Sequence, residues 1–390
     1  LQKQFRPTSE ETMMTQIDAP ATPTPLPLTR GGPLDALRFM AAFCMVLYHY
    51  SFAAPIELAK VHPIWGRGYL ATDFFLVVSG YVLGRIYGDR VTNARMSNFG
   101  FFQRRATRVV PAHLIMLAGL VAFVLLSTAI GFAPEHNFYF DWSQLPSQVL
   151  LLTSIGVPGG RGWNDPSWSL SALLVCYAAF PFLWRAFARI KSPWTALAAG
   201  FGVLAVGDVA SNLILHRPVF EIPQDIGALR ALPLFIAGIM LARFSESVFI
   251  KPWIARTLGV CGLVTLIVLQ CVGRYDFLSI LAIATMVIGV GAWPVKTPSH
   301  ALEKGAVISF SLFITNEPVR IVLFGLIHLV EKKIHAGPGL VWAMWAITPA
   351  IAVAFAVAFH YGVDMPTQRW IKRRRKGAAA TGRALEAMAA

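Results

Sequence analysis

Apolar runs long enough to cross about 30 Å of hydrocarbon at about 1.5 Å per residue occur ten times in this chain. They lie at residues 34–54, 68–87, 107–132, 166–187, 194–215, 226–243, 254–272, 277–294, 305–330 and 340–362. No soluble core could bury so many, and a chain with 56% hydrophobic and 14% charged residues belongs with polytopic membrane proteins. The expected fold class is therefore all-α and integral to the membrane: a bundle of about ten transmembrane helices, whose even number returns the C-terminus to the side of the N-terminus.

Placing both termini in the cytoplasm puts roughly 24 Lys and Arg residues inside and about 7 outside, as the positive-inside rule expects, with Arg38, Arg230 and Arg320 left within helices. Read this way, the net charge of +14 reports membrane orientation and argues against nucleic acid as a partner. Cys44, Cys176, Cys261 and Cys271 lie within apolar stretches, without the spacing of a metal or redox site, and read as packing residues. The Pro- and Thr-rich residues 1–33 are expected to be a retained, disordered cytoplasmic tail. Residues 34–366 form the membrane domain and 367–390 a basic cytoplasmic tail. The largest outer loop, 133–165, carries Glu135, Asp141, Trp142, Asp165 and a Pro-Gly-Gly turn at 158–160, and is expected to pack over the outer mouth of the bundle.

Ionisable residues inside such runs point to function. The first run carries Asp35, Arg38 and His49. Arg38 and His49 share one helix face about 16 Å apart along the axis, with Asp35 near the same stripe. The second run carries Asp73 near its outer end, with Gly80 and Gly84 on the same stripe, where they suit close helix packing. Counted from the helix ends, His49 and Asp73 both fall roughly 22 Å from the cytoplasmic face, so they could meet. A carboxylate that fixes an imidazole tautomer while the other nitrogen takes a proton from a hydroxyl is a general-base arrangement, although a His–Asp pair that only fixes packing fits the same spacing.

Arg104, Arg105 and Arg108 stand at the cytoplasmic start of the third run. Arg105 and Arg108, one turn apart, make a fork suited to phosphate, and positive-inside anchoring accounts for the same residues. In the ninth run, Pro318 frees a backbone carbonyl among Asn316, Glu317 and Arg320. Glu317 and Arg320 can neutralise each other, or the broken polar helix can line a substrate cavity. Arg230, close to Asp225, presents the same choice. Trp168 and Ser171 open the fourth run at the outer face. Ser79 lacks the preceding glycine of a nucleophile elbow, and no Walker loop or GxGxxG is present.

Taken in order, these segments resemble the acyltransferase 3 family of bacterial integral-membrane acyltransferases. The matching residues are Leu34-Asp-Ala-Leu-Arg38 with His49, then Thr72-Asp-Phe-Phe-Leu-Val-Val-Ser-Gly80 and Phe102-Gln-Arg-Arg-Ala-Thr-Arg-Val-Val-Pro111. Trp168-Ser-Leu-Ser171 with Tyr177 and Pro181, the Ser309-Phe-Ser-Leu-Phe313 stretch and Asp364-Met-Pro366 complete the set. The resemblance implies a multi-pass protein of the bacterial cytoplasmic membrane that transfers an acyl group, usually acetyl from acetyl-CoA, to hydroxyls of extracytoplasmic or lipid-linked glycans. Acyl-CoA is then a co-substrate, with no permanently bound cofactor and no metal. Arg38 and His49 match the family's Arg-x10-His motif, and Arg105 and Arg108 its Arg-x-x-Arg motif.

On this reading His49 is the base, oriented by Asp73 or Asp35, and Arg38, Arg104, Arg105 and Arg108 bind acyl-CoA. Ser79, Trp168, Ser171, Tyr177, Asn316 and Glu317 contact the acceptor or line the cavity. The chain departs from the family in having Ala172-Leu173 where many members have Glu, and Asn316 where many have His, so His49 is left as the main base candidate. No fused SGNH-type domain is recognised, so transfer is expected to finish within the membrane domain or on a separate partner. A polytopic transporter using Arg38, His49 and Asp73 as a binding or proton-relay site is the competing class, although repeat symmetry is not evident.

Overall fold

The computed structural model describes residues 27–131, 140–157 and 162–375. Glu135, the Pro-Gly-Gly turn and most of both expected tails lie outside the described residues. Among the described residues every regular element is helical. Ten long helices, numbered here in chain order without the short turns between them, fall on the ten apolar runs. They are α1 (Pro33–Ser51), α2 (Leu70–Thr92), α3 (Asn98–Ala129), α4 (Ser167–Phe187) and α5 (Pro193–Leu215), followed by α6 (Ala228–Ser247), α7 (Pro252–Val272), α8 (Asp276–Gly291), α9 (His300–Ile334) and α10 (Pro338–Phe359). Eight of them are long and apolar enough to cross a membrane, which makes this an all-α integral membrane protein; α8 is shorter, and α1 falls outside that measure.

Local chemistry sets where the helices begin. The Ser97 hydroxyl accepts from the Gly100 amide at the start of α3, and Ser192 and Ser299 cap α5 and α9 in the same way. Proline opens α1, α5, α7 and α10, where its missing N–H costs nothing. The chain before α1 is also held: the Gly31 amide donates to Asp35 at 2.7 Å and the Gly31 carbonyl accepts from the Ser299 amide at 3.0 Å. At the other end, α10 continues through a π turn, His360–Asp364, and on to Arg375, so residues 367–375 of the expected basic tail are helical.

Helix α6 is the hub, packing against α2, α4, α5 and α8. It meets α2 through two glycines: a Cβ on Gly80 would stand 2.1 Å from the Phe235 carbonyl oxygen, and one on Gly238 2.1 Å from that of Val77. Only backbone can occupy that crossing. Helices α1, α9 and α10 form a second unit, in which Ala42, Val46 and Tyr50 pack with Leu312, Val319, Ala352 and Ala356.

Prolines inside the helices free carbonyls four residues back, and at Pro318 and Pro111 side chains from elsewhere take them up. The Ile314 carbonyl, released by Pro318, accepts from Asn164 Nδ2 at 3.2 Å, which pins the loop before α4 to α9. The Thr107 carbonyl, released by Pro111, accepts from Gln368 Nε2 at 3.0 Å, which pins the end of α10 to α3. These two clamps sit beside two of the three polar clusters described next, those of Arg108 and His49.

Candidate active site

At the end of the bundle where α1 begins, α1, α3 and α4 bring Arg38, Arg105 and Arg108 within electrostatic reach of Tyr177. The Tyr177 hydroxyl has no hydrogen-bond partner among the described residues. Arg105 lies with its Cζ 4.4 Å from the Tyr87 ring centroid, and its Nε is enclosed without a hydrogen-bond partner. Arg108 donates to both Asp364 oxygens, at 2.7 and 3.0 Å, and stacks on Phe310; the π turn also brings His360 Nδ1 to 3.2 Å from Asp364. Arg38 is part-exposed, 3.5 Å from Asp35. Arg104 is exposed on the same turn of α3 and belongs to its surface. Three guanidiniums with one close carboxylate partner on Arg108 and one on Arg38 leave capacity for an anion.

At the opposite end of α1, His49 packs against α9. Its Nδ1 lies 2.8 Å from Asn316 Oδ1. Asn316 Nδ2 donates to the Phe313 carbonyl at 2.5 Å, which fixes the orientation of the amide. The oxygen must therefore face the imidazole, so Nδ1 carries the proton and Nε2 presents a lone pair. Nε2 has no hydrogen-bond partner among the described residues. Glu317, held by Arg320 through contacts of 2.6 and 2.8 Å, places Oε2 3.9 Å from Nδ1.

Beside His49 lies a third cluster. Arg230 on α6 donates from Nε and Nη2 to the two oxygens of Asp73 on α2, at 2.9 and 2.8 Å, with both side chains buried. Tyr69 and Trp168 flank the guanidinium, their ring centroids 5.6 and 5.9 Å from Cζ. Tyr69 donates to Asp276 at 2.7 Å, and Asp276 is also bound by Arg67. The Tyr48 ring is 5.4 Å from His49 and 6.3 Å from Tyr69, bridging the two groups.

Several expected neighbours are therefore corrected. Asp73 does not orient His49, because Arg230 occupies both of its oxygens. Asp35 stands 14 residues from His49, about 21 Å along α1, and serves Gly31 and Arg38 instead. Arg230 pairs with Asp73 rather than with Asp225. Ser171 accepts from the Ser154 amide and hydroxyl at 3.2 and 2.9 Å, bracing the loop before α4 from a buried position. Ser79 is half-buried with no hydrogen bond among the described residues, and Asn316 and Glu317 face His49. The sequence reading did not single out Tyr48, Tyr69, Asn164, Gln368 or the Asp364 contact with Arg108. For Arg230 a signal was available: it is the third residue of α6 and Asp73 the fourth of α2, so the opposite charges begin their helices at matching depth.

Residues 33–361 match the model of the acyltransferase domain of the acyltransferase 3 family. The chain belongs to that family. Among its relatives, the acyltransferase MdmB of Streptomyces mycarofaciens is 27% identical over 196 residues, 46% of each chain. Protein 2 in the picA locus of Rhizobium radiobacter is 27% identical over 187 residues, 44% of this chain and 92% of that one. Peptidoglycan O-acetyltransferase OatA of Listeria monocytogenes is 25% identical over 170 residues, 41% of this chain and 24% of OatA. The matched part is thus about half of MdmB and about a quarter of OatA. No solved structure matches the chain.

Proposed function

We propose that this protein is a membrane O-acyltransferase that moves an acyl group, acetyl in the first instance, from acyl-CoA to a hydroxyl of an extracytoplasmic or lipid-linked glycan, in the bacterial cytoplasmic membrane. The observation that carries the reading is the contact of His49 Nδ1 with the Asn316 amide oxygen, which leaves Nε2 free as a base. The family match and an O-acetyltransferase among the relatives support the same chemistry. The end of the bundle where α1 begins takes the cytoplasmic side, and the CoA phosphates lie on Arg105 and Arg108, with Arg38 on the path inward. The pantetheine arm follows α1 towards His49.

At His49 the acceptor hydroxyl gives its proton to Nε2 as its oxygen attacks the thioester carbonyl. Collapse of the tetrahedral adduct breaks the C–S bond, and the imidazolium returns the proton to the departing thiolate, giving the ester and free CoA. A thioester needs no covalent enzyme intermediate, so position and one base suffice. Glu317 stabilises the transient imidazolium, and Arg320 holds Glu317 in place.

The test is incubation of the purified protein in lipid nanodiscs with radiolabelled acetyl-CoA and host membranes from a strain lacking the gene. His49→Ala should lower label transfer by about 10²- to 10⁴-fold, the range of a lost general base, while acetyl-CoA still binds. An active His49→Ala protein would remove the base, and substrate flux without thioester cleavage would favour a transporter.

A further inference from the structure

Arg230 makes two hydrogen bonds, both to Asp73, from Nε and Nη2. Nη1 has no hydrogen-bond partner among the described residues, although the side chain is only 7% exposed. Nor is Nη1 among the sealed, unpartnered polar atoms, so this edge of the guanidinium is not fully enclosed by the described residues. A buried arginine with one edge fixed by a carboxylate and the other open is aimed at a ligand.

The surroundings define its chemistry. Asp73 already neutralises Arg230, and Asp276 is bound to Arg67. With each of the two guanidiniums already paired to a carboxylate, a free anion gains little here. Trp168 and Tyr69 flank the guanidinium, and Tyr48 continues the aromatic wall to His49. Aromatic faces beside a few aimed polar groups suit a neutral, hydroxyl-rich ring, whose apolar face lies on the aromatics while its oxygens accept from the guanidinium.

We infer that Arg230, aimed by Asp73 and walled by Tyr48, Tyr69 and Trp168, is the anchor for a neutral sugar ring of the acceptor. The inference rests on the acyl-transfer reading and names the acceptor half of that site. Arg230 binds the substrate. Asp73 is a positioning residue that acts through it.

The experiment titrates donor and acceptor separately with protein in nanodiscs, using radiolabelled acetyl-CoA as donor and membranes from the host strain lacking the gene as the source of glycan. Removing Arg230 alone would strand a buried carboxylate. The primary variant is therefore the double substitution Asp73→Asn with Arg230→Gln, which removes both charges together, and Trp168→Leu is the second. Each should raise the half-saturating glycan concentration by about 10- to 100-fold, the loss expected for one charge-assisted hydrogen bond or one aromatic wall. The half-saturating acetyl-CoA concentration should stay within twofold. An unchanged glycan titration, or a shift in the donor titration instead, overturns the assignment. Wild-type protein that transfers no label overturns the acyl-transfer reading itself and this inference with it, and that outcome differs from a variant-specific failure.

Discussion

At the residue scale the candidate chemistry depends on a hydrogen bond between a ring and an amide. Asn316 cannot turn its nitrogen towards His49 without giving up its own bond to the Phe313 carbonyl, and that constraint selects the imidazole tautomer. Asn316→Leu should retain the fold, because the position lies in an apolar stretch of α9, but should lower kcat at saturating donor and acceptor by at least about 10-fold, or 1.4 kcal/mol of transition-state stabilisation. Asn316→Asp, which keeps an oxygen acceptor, should recover much of that loss. Full-rate turnover by Asn316→Leu in the label-transfer assay would show that the tautomer is not set here. Much of this site was legible in the sequence as depth. His49 stands close to the end of α1 and Asp73 close to the start of α2, so their common level follows from counting residues. Rotation around the bundle was not legible. The 3.6-residue period gives the face a residue shares with its own helix, but which helix meets that face depends on packing across the whole bundle. Asp73 consequently finds Arg230, and His49 finds Asn316, at the level the sequence indicates.

At the scale of elements, the ten apolar runs predict the helices well because length and apolarity are local properties, and Gly80 and Gly84 were legible as packing positions for the same reason. The partners of those glycines were not legible. Gly80 and Gly238 answer one another across the α2–α6 crossing, each against the other helix's carbonyl oxygen. Adding one methyl at either position must push the helices apart, carrying Asp73 relative to Arg230. Gly80→Ala or Gly238→Ala should therefore destabilise the protein by about 1 to 3 kcal/mol or more, the usual cost of overpacking, seen as a lower melting midpoint in detergent. Gly119→Ala supplies the contrast. No atom stands within 4 Å of a Cβ placed there, and alanine favours helix over glycine by about 0.8–1.0 kcal/mol, so its midpoint should hold or rise. Equal loss at all three glycines would mean that the crossing is not the cause. The proline clamps make a similar point: Pro318 signals a freed carbonyl in the sequence, but nothing near it signals that Asn164, on a loop far away in the chain, accepts the task.

At the scale of the whole molecule, two polar clusters stand at different depths on α1, with Arg38 near its beginning and His49 near its end, about 16 Å apart. Gln368 ties the α10 extension to α3 beside Arg108, and Asn164 ties the loop before α4 to the face of α9 that also bears Pro318. Each cluster is thus fastened to its own end of the bundle, an arrangement suited to receiving a donor from one side and an acceptor from the other. Proteoliposomes holding both orientations, separated by protease cleavage of an N-terminal tag, give this sidedness a direct test. Acetyl-CoA should support His49-dependent turnover only when supplied to the face carrying the N-terminus. In the same preparation Arg105→Ala should raise the half-saturating acetyl-CoA concentration by about 10- to 100-fold, consistent with about 1.5 to 3 kcal/mol for a charge-assisted contact to phosphate, and leave the glycan titration unchanged. Because Arg105 has an enclosed Nε without a hydrogen-bond partner, its loss removes no internal hydrogen bond from that atom, and the melting midpoint should move little. A drop in the midpoint with unaltered donor affinity would return Arg105 to an anchoring role, whereas turnover from the opposite face would reverse the assignment of the two ends.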